Sequence, residues 1–312
     1  MKLPKQFVFL LAVASGVCWG TYGVFSRVLA DFGIAGTTIS MIVPLFYGLF
    51  FFVCLCFDDI RKIRIPWKLV PFLLMFGFGS SIFNYATVQG YMYLPIGMVS
   101  TIIYCNLFLL MVFSRLLFKT PITWQKGVAA LAAVVGISLL LNVFGSEMTF
   151  SWAGVGWALL AMFAWAFAVT WEKYLLVKGC DGNAIMFFNG MIAVFCLSLV
   201  TPPTEVIGNL ASTIATAGLA ILPPMICFAF VTSILSYYFY ITGLKYLETS
   251  YVQMGFVADP LTSSILGFFI FGQSFLPIQV AGIALILFVI IWVQWLEIKK
   301  MKEWKAADTG CR

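Results

Sequence analysis

Histidine does not occur anywhere in the 312 residues. Its absence removes the commonest metal ligand and the side chain best suited to move protons near neutral pH. Charge is also scarce, at 10% of residues against about 25% in an ordinary soluble domain. No G-x-x-x-x-G-K-[ST] loop is present, so ATP is not a direct energy source. A G-x-S-x-G elbow and a pair of intramembrane carboxylates are missing too, which leaves hydrolysis without its usual parts. Cysteine is more plentiful: Cys18, Cys54, Cys56, Cys105, Cys180, Cys196, Cys227 and Cys311. Six of them lie in apolar segments, where cysteine acts as a small hydrophobe. The single C-x-C at Cys54 and Cys56 has no second pair and no histidine to complete a zinc site.

What fills the chain instead is apolar residues, 62% of it, with a mean hydropathy of +1.04. A water-soluble surface cannot be built from that composition, so the sequence describes a polytopic membrane protein. A spanning helix takes about 20 mostly apolar residues. Ten stretches qualify, at roughly 7–29, 37–57, 68–92, 95–118, 123–144, 151–175, 184–203, 217–241, 249–271 and 276–297. The first follows Lys2 and Lys5 but lacks a clear cleavage site, so it reads as a retained helix. The longest connection, Thr201 to Thr216, is polar and starts on proline, and no soluble domain is expected. Pro44 and Pro260 are interior to their helices and should kink or open them.

With ten spans both termini share a side. That side collects 17 of the 18 basic residues, leaving only Arg27 opposite. The positive-inside rule therefore makes both termini cytoplasmic, and the expected location is the plasma (inner) membrane.

The chain also repeats itself. A shift of 153 residues places Gly90 on Gly243, Tyr93 on Tyr246, Leu94 on Leu247, Tyr85 on Tyr238 and Phe118 on Phe271. A shift of 146 places Trp19 on Trp165 and Arg27 on Lys173. Two five-helix units, 1–145 and 146–298, with a cytoplasmic tail at 299–312, account for these matches. Five is odd, so the second unit enters the membrane inverted. The predicted fold is all-α integral membrane, with ten transmembrane helices in two inverted five-helix repeats, an architecture that holds substrate near the midplane where the repeats meet.

Asp259 sits at the centre of the ninth stretch, followed by Pro260. A charge at that depth costs about 2.5–3.5 kcal/mol on insertion scales, which makes it a functional candidate. Pro260 has no N–H, so the carbonyl of Phe256 is expected to lack its helical partner and to stand beside the carboxylate. Under the repeat Asp259 falls on Asn106, giving two polar groups at matching depth. Tyr251, Gly255, Asp259 and Thr262/Ser263 share one face, which suits a cavity wall or a tight helix contact. On the fourth helix Gly97, Thr101 and Tyr104 share a face, while Asn106 is turned about 200° from Tyr104. Both cannot point into one cavity.

The resemblance at this point is to an EamA-type member of the drug/metabolite transporter superfamily, over essentially the whole chain. It rests on Trp19-Gly20 and its mate Trp165-Ala166, the helix ends Gly90 to Leu94 and Gly243 to Leu247, the proline of Asp259-Pro260, and Gln279-x-x-Gly282. The Gly-Glu that commonly follows the fourth helix of a repeat is Phe118-Lys119 here and Gly272-Gln273 in the second half, so no role of that glutamate carries over. The resemblance implies a cavity lined by helices one, three, four, six, eight and nine. That adds Asn84, Gln89, Ser236 and Tyr237 to the candidates, beside Thr232 and Ser233. Trp19 and Trp165 are placed to stack on an aromatic or cationic substrate. Gly16-x-x-x-Gly20 reads as a packing face, and Arg27 with Glu172/Lys173 as groups reaching the interface.

The function expected is secondary active transport of a small metabolite by alternating access, with proton or sodium coupling open and no cofactor or metal. The resemblance favours export of amino acids, nucleosides or related compounds. An uncoupled facilitator, a lipid-precursor or multidrug carrier, and a membrane-embedded enzyme stay open as alternatives. The partners expected are a small-molecule substrate and membrane lipids, with no nucleic acid, in a monomer or homodimer.

Overall fold

A computed structural model describes residues 5–94, 96–120, 122–140, 142–143, 145, 151–271 and 276–309. Pro95, Gly272, Gln273 and Cys311 lie outside these residues, as do the side chains of Arg27 and Thr101. The fold is 88% helical and has no strand among the described residues. Among the described residues five stretches, Phe7–Asp31, Gly36–Asp58, Trp67–Thr87, Trp152–Val177 and Pro203–Tyr246, are long and apolar enough to cross a membrane, and four shorter apolar helices accompany them. Their outward faces carry exposed Phe57, Leu116, Leu199, Ile226 and Ile291. Apolar side chains in such numbers on an outer surface suit hydrocarbon, and the chain is a multi-pass membrane protein.

Helices α1 (Lys5–Gly20) and α2 (Tyr22–Asp31) form the first predicted stretch, interrupted at Thr21. Next come α3 (Gly36–Asp58), α4 (Val70–Tyr93), α5 (Ile96–Tyr104), α6 (Asn106–Phe118) and α7 (Trp124–Leu140). The second half holds α8 (Trp152–Val177), α9 (Gly182–Ser198), α10 (Pro203–Ala217), α11 (Leu222–Cys227), a π-helical stretch Phe228–Leu235, and α12 (Ser236–Tyr246). It closes with α13 (Thr249–Gly255), α14 (Ala258–Phe271) and α15 (Pro277–Thr309). The apolar stretches are thus largely helical among the described residues. Two expectations change. α3 does not open at Pro44 but continues as one helix. The connection at Thr201 to Thr216 is itself a helix, α10, started by proline with Glu205 in its first turn. Asn209 anchors it to the α2–α3 turn, accepting from the Ala35 amide at 2.9 Å and donating to the Gly33 carbonyl at 3.1 Å.

Corresponding helix ends close in the same way. After α2, Gly33 takes φ +98°, with Gly33 N–H donating to Ala30 and Ile34 N–H to Leu29. After α8, Gly179 takes φ +86°, with Gly179 N–H donating to Leu176 and Cys180 N–H to Leu175. Both are left-handed glycine caps of the Schellman kind, and the two glycines stand 146 residues apart. Likewise α4 ends on an extended Leu94 whose N–H donates to Gly90, and α12 on an extended Leu247 whose N–H donates to Gly243.

Packing follows the same exchange. α4 lies on α8, and α12 lies on α1. α4 also meets α9, as the π-helical stretch meets α3; α5 and α6 meet α8, as α13 and α14 meet α1. The pairs α3 with α9 and α7 with α15 are their own counterparts. The largest buried cluster gathers Phe9, Leu107, Ile137, Trp165, Tyr240, Leu244, Phe256 and Val289, so it draws on both halves.

Candidate functional site

Both predicted fourth helices of the repeats are broken at their middles. In the second half α13 stops at Gly255 and α14 restarts at Ala258. Pro260 is therefore the third residue of α14, where a missing N–H leaves no bond unmade. This corrects the expectation of a spare Phe256 carbonyl: it accepts the Asp259 amide at 2.9 Å. The restart also places Asp259 in the first turn of a helix, where the positive end of the dipole favours a carboxylate. In the first half the break falls at Cys105, between α5 and α6, with Leu107 standing where the other half has Pro260. Proline is thus not required for the interruption.

The break between Tyr104 and Asn106 decides which of them meets Asp259. The Tyr104 hydroxyl donates to Asp259 Oδ2 at 2.9 Å. Asn106 makes no hydrogen bond to Asp259. It is 2% exposed, and its Oδ1 has no hydrogen-bond partner among the described residues. The polar pair across the two halves is therefore Tyr104–Asp259, and the repeat-matched pair Asn106–Asp259 does not form. Ser263 bonds back to the carbonyls of Asp259 (3.0 Å) and Pro260 (3.3 Å).

Gly16 and Gly20 bring this segment against α1. A Cβ on Gly20 would stand 2.6 Å from the Asp259 carbonyl oxygen and from Thr262 Cβ, and one on Gly16 would stand 3.0 Å from the Gly255 oxygen. The stripe of small residues is a packing face, as expected. Gly255 belongs to the same contact, lying against Ala12.

Beside Asp259 lies a layer of aromatic rings. Trp19 is the hub, with centroid distances of 5.8 Å to Trp165, 5.0 Å to Tyr237, 6.4 Å to Tyr240 and 4.7 Å to Phe256. Phe83 of α4 adds to Trp165 at 4.7 Å, and Tyr47 of α3 to Tyr237 at 4.2 Å. Trp19, Phe83, Tyr104, Tyr237 and Asp259 are half-buried, whereas Trp165 and Tyr240 are buried. Trp165 Nε1 donates to Gln253 Oε1 at 3.3 Å.

The remaining candidates scatter. Ser236 joins α12 to α1: its carbonyl accepts the Ser15 hydroxyl at 2.7 Å, and its own hydroxyl donates to Thr232. Asn84 donates to Ser80 within α4 at 2.9 Å, and Gln89 is half-buried farther along the same helix. Tyr251 stands eight residues before Asp259, on the other side of the break between α13 and α14. It lies under Lys126, whose ammonium is 4.9 Å from the ring and pairs with Glu248.

Glu172 and Lys173 depart from expectation. Neither reaches outward. Glu172 is 0% exposed, and its Oε2 accepts the Tyr240 hydroxyl at 2.9 Å. Lys173 donates to the carbonyls of Leu244 and Leu247 at the C-terminal end of α12, where helix carbonyls lack an intrahelical donor. The signal was readable: Glu172 follows Trp165 by seven residues, which returns it to the same helix face. Tyr47, Asn189, Tyr240 and Gln253, which complete the layer, carried no comparable signal. No cluster of metal-ligating side chains occurs among the described residues.

An EamA-like transporter family model matches the chain twice, over residues 6–142 and 152–295. An uncharacterized transporter from Archaeoglobus fulgidus is 22% identical over 290 residues, covering 91% of this chain and 95% of that one. A protein of known crystal structure matches with a TM-score of 0.74 at 13% identity, over 93% of this chain and 96% of the other, which speaks for the fold alone. These matches point to a transporter rather than an enzyme. A membrane protein built of two such units, spanned by the family model almost from end to end, is a member of the EamA-like transporter family.

Proposed function

We propose that the chain is a secondary transporter with ten spans in two inverted repeats, both termini cytoplasmic, carrying a small metabolite by alternating access across the plasma membrane. The observation that carries this reading is the Tyr104–Asp259 hydrogen bond, made between the broken helices of the two halves. Inverted repeats use helix breaks of this kind at their binding sites. The matched caps at Gly33 and Gly179, and packing pairs that survive exchange of the halves, support the two-unit part of the reading. Asp259 takes the coupling proton in this scheme, and Tyr104 is the donor that holds its charged form. The aromatic layer forms the wall against which substrate lies.

Uptake of a metabolite panel into proteoliposomes under an imposed proton gradient tests it, with Asp259→Asn beside the parent. Gradient-driven uptake is expected in the parent and is expected to vanish in the variant. Undiminished gradient-driven uptake by Asp259→Asn removes the carboxylate from the mechanism.

A further inference from the structure

Asp259 is not the only carboxylate inside the molecule. Glu172 is enclosed completely, and only one of its oxygens is accounted for: Oε2 accepts from Tyr240, while Oε1 is buried with no hydrogen-bond partner among the described residues. The adjacent Lys173 does not supply one. Neighbours on a helix point about 100° apart, and Lys173 is held by the Leu244 and Leu247 carbonyls, with no ion pair to Glu172.

Further unmet polar atoms lie on the elements around it. Asn189 is 1% exposed; its Nδ2 donates to the Tyr47 hydroxyl at 2.9 Å, and its Oδ1 has no partner among the described residues. Gln253 is 3% exposed; its Oε1 accepts from Trp165, which stacks on Tyr240, and its Nε2 makes no hydrogen bond among the described residues. Buried polar atoms in folded proteins are nearly always bonded, so several left over in one region mark a missing partner. Two of the three are acceptors, one of them a carboxylate. Around them stand Tyr47, Tyr237, Tyr240, Trp19 and Trp165, whose ring faces attract cations.

We propose that the transported substrate carries a protonated amine, and that Glu172 is the group that receives it, with Asn189 as second acceptor and the aromatic layer against the substrate's apolar part. This rests on the carrier reading above and names the chemistry of its substrate. Gln253 Nε2 favours an amine that also bears an accepting oxygen. Glu172 then serves recognition and Asp259 serves coupling, two carboxylates with separate tasks.

The test is binding to purified full-length protein in nanodiscs, followed by thermal shift and by intrinsic tryptophan fluorescence. The probes are phenethylamine and cadaverine, each beside its alcohol counterpart, 2-phenylethanol and pentane-1,5-diol. The amines are expected to bind and the alcohols not. Glu172→Gln keeps an acceptor for Tyr240 and is expected to weaken amine binding roughly tenfold or more, the size of a lost charge-assisted bond. Asn189→Ala gives a smaller loss in the same direction and covers the case in which Glu172→Gln fails to fold. Equal binding of amine and alcohol, binding of neither, or amine affinity untouched by both Glu172→Gln and Asn189→Ala overturns the proposal. The two readings fail separately. Amine binding that follows Glu172 while Asp259→Asn still shows gradient-driven uptake keeps the amine site and removes the coupling role of Asp259; the reverse keeps that role and removes the amine site.

Discussion

The Tyr104 hydroxyl lies 2.9 Å from Asp259 Oδ2, and these two residues flank the helix breaks in the two halves of the chain. One hydrogen bond thus joins the halves at the point where each is least constrained by its own backbone. A donor to a charged acceptor contributes more than a neutral pair. Tyr104→Phe removes it while keeping the ring. Gradient-driven uptake is expected to fall by about tenfold, corresponding to about 1.4 kcal/mol. Proteoliposome flux measures this, with circular dichroism to check that the helices persist.

At the cytoplasmic end of the proposed topology, Lys126 is buried and pairs with Glu248, tying α7 to the turn between α12 and α13. Removing the ammonium takes the nearest positive charge from Glu248. Lys126→Met is expected to cost about 3 kcal/mol, the low end for such a break because Glu248 retains some exposure. Lys126→Met with Glu248→Gln is expected to recover part of the loss. Thermal unfolding of the single and double variants checks the pair.

Gly20 sits where α1 crosses the start of α14. Any Cβ there lands 2.6 Å from the Asp259 carbonyl oxygen and must push the two helices apart. Gly20→Ala is expected to cost about 1–3 kcal/mol, as overpacking does. It is also expected to reduce transport by displacing Asp259. Stability and flux measured on the same preparation show both effects together.

The caps at Gly33 and Gly179 have φ of +98° and +86°, which an L side chain adopts only under strain. Gly33→Ala and Gly179→Ala are each expected to cost about 1–2 kcal/mol, and by similar amounts, because the two turns make the same bonds. Unequal costs in thermal unfolding contradict the equivalence of the two helix ends.

The all-helical membrane fold and the doubled family unit are legible in the sequence because each rests on a strong local signal, apolar length or a fixed offset. Glu172 was half-legible. Its seven-residue spacing from Trp165 gave the face, but its closeness to the helix end suggested the interface instead. The choice between Tyr104 and Asn106 was not legible, because their directions depend on how the chain turns at Cys105. α10 was missed since a polar, proline-started segment reads as loop until its turn-by-turn bonding and its anchor at Asn209 are seen. The spare Phe256 carbonyl was wrongly expected for a related reason: Pro260 begins a helix there and does not interrupt one.

Alternating access is tested most directly by asking from which side of the membrane the centre can be reached. In a background with the native cysteines replaced, Ser263→Cys puts a small thiol one turn beyond Asp259. Membrane-impermeant maleimide is then applied separately to right-side-out and inside-out vesicles. Labelling from both sides, suppressed on both by transported substrate, is the predicted result. Labelling from one side only, whatever the gradient or substrate, contradicts the account.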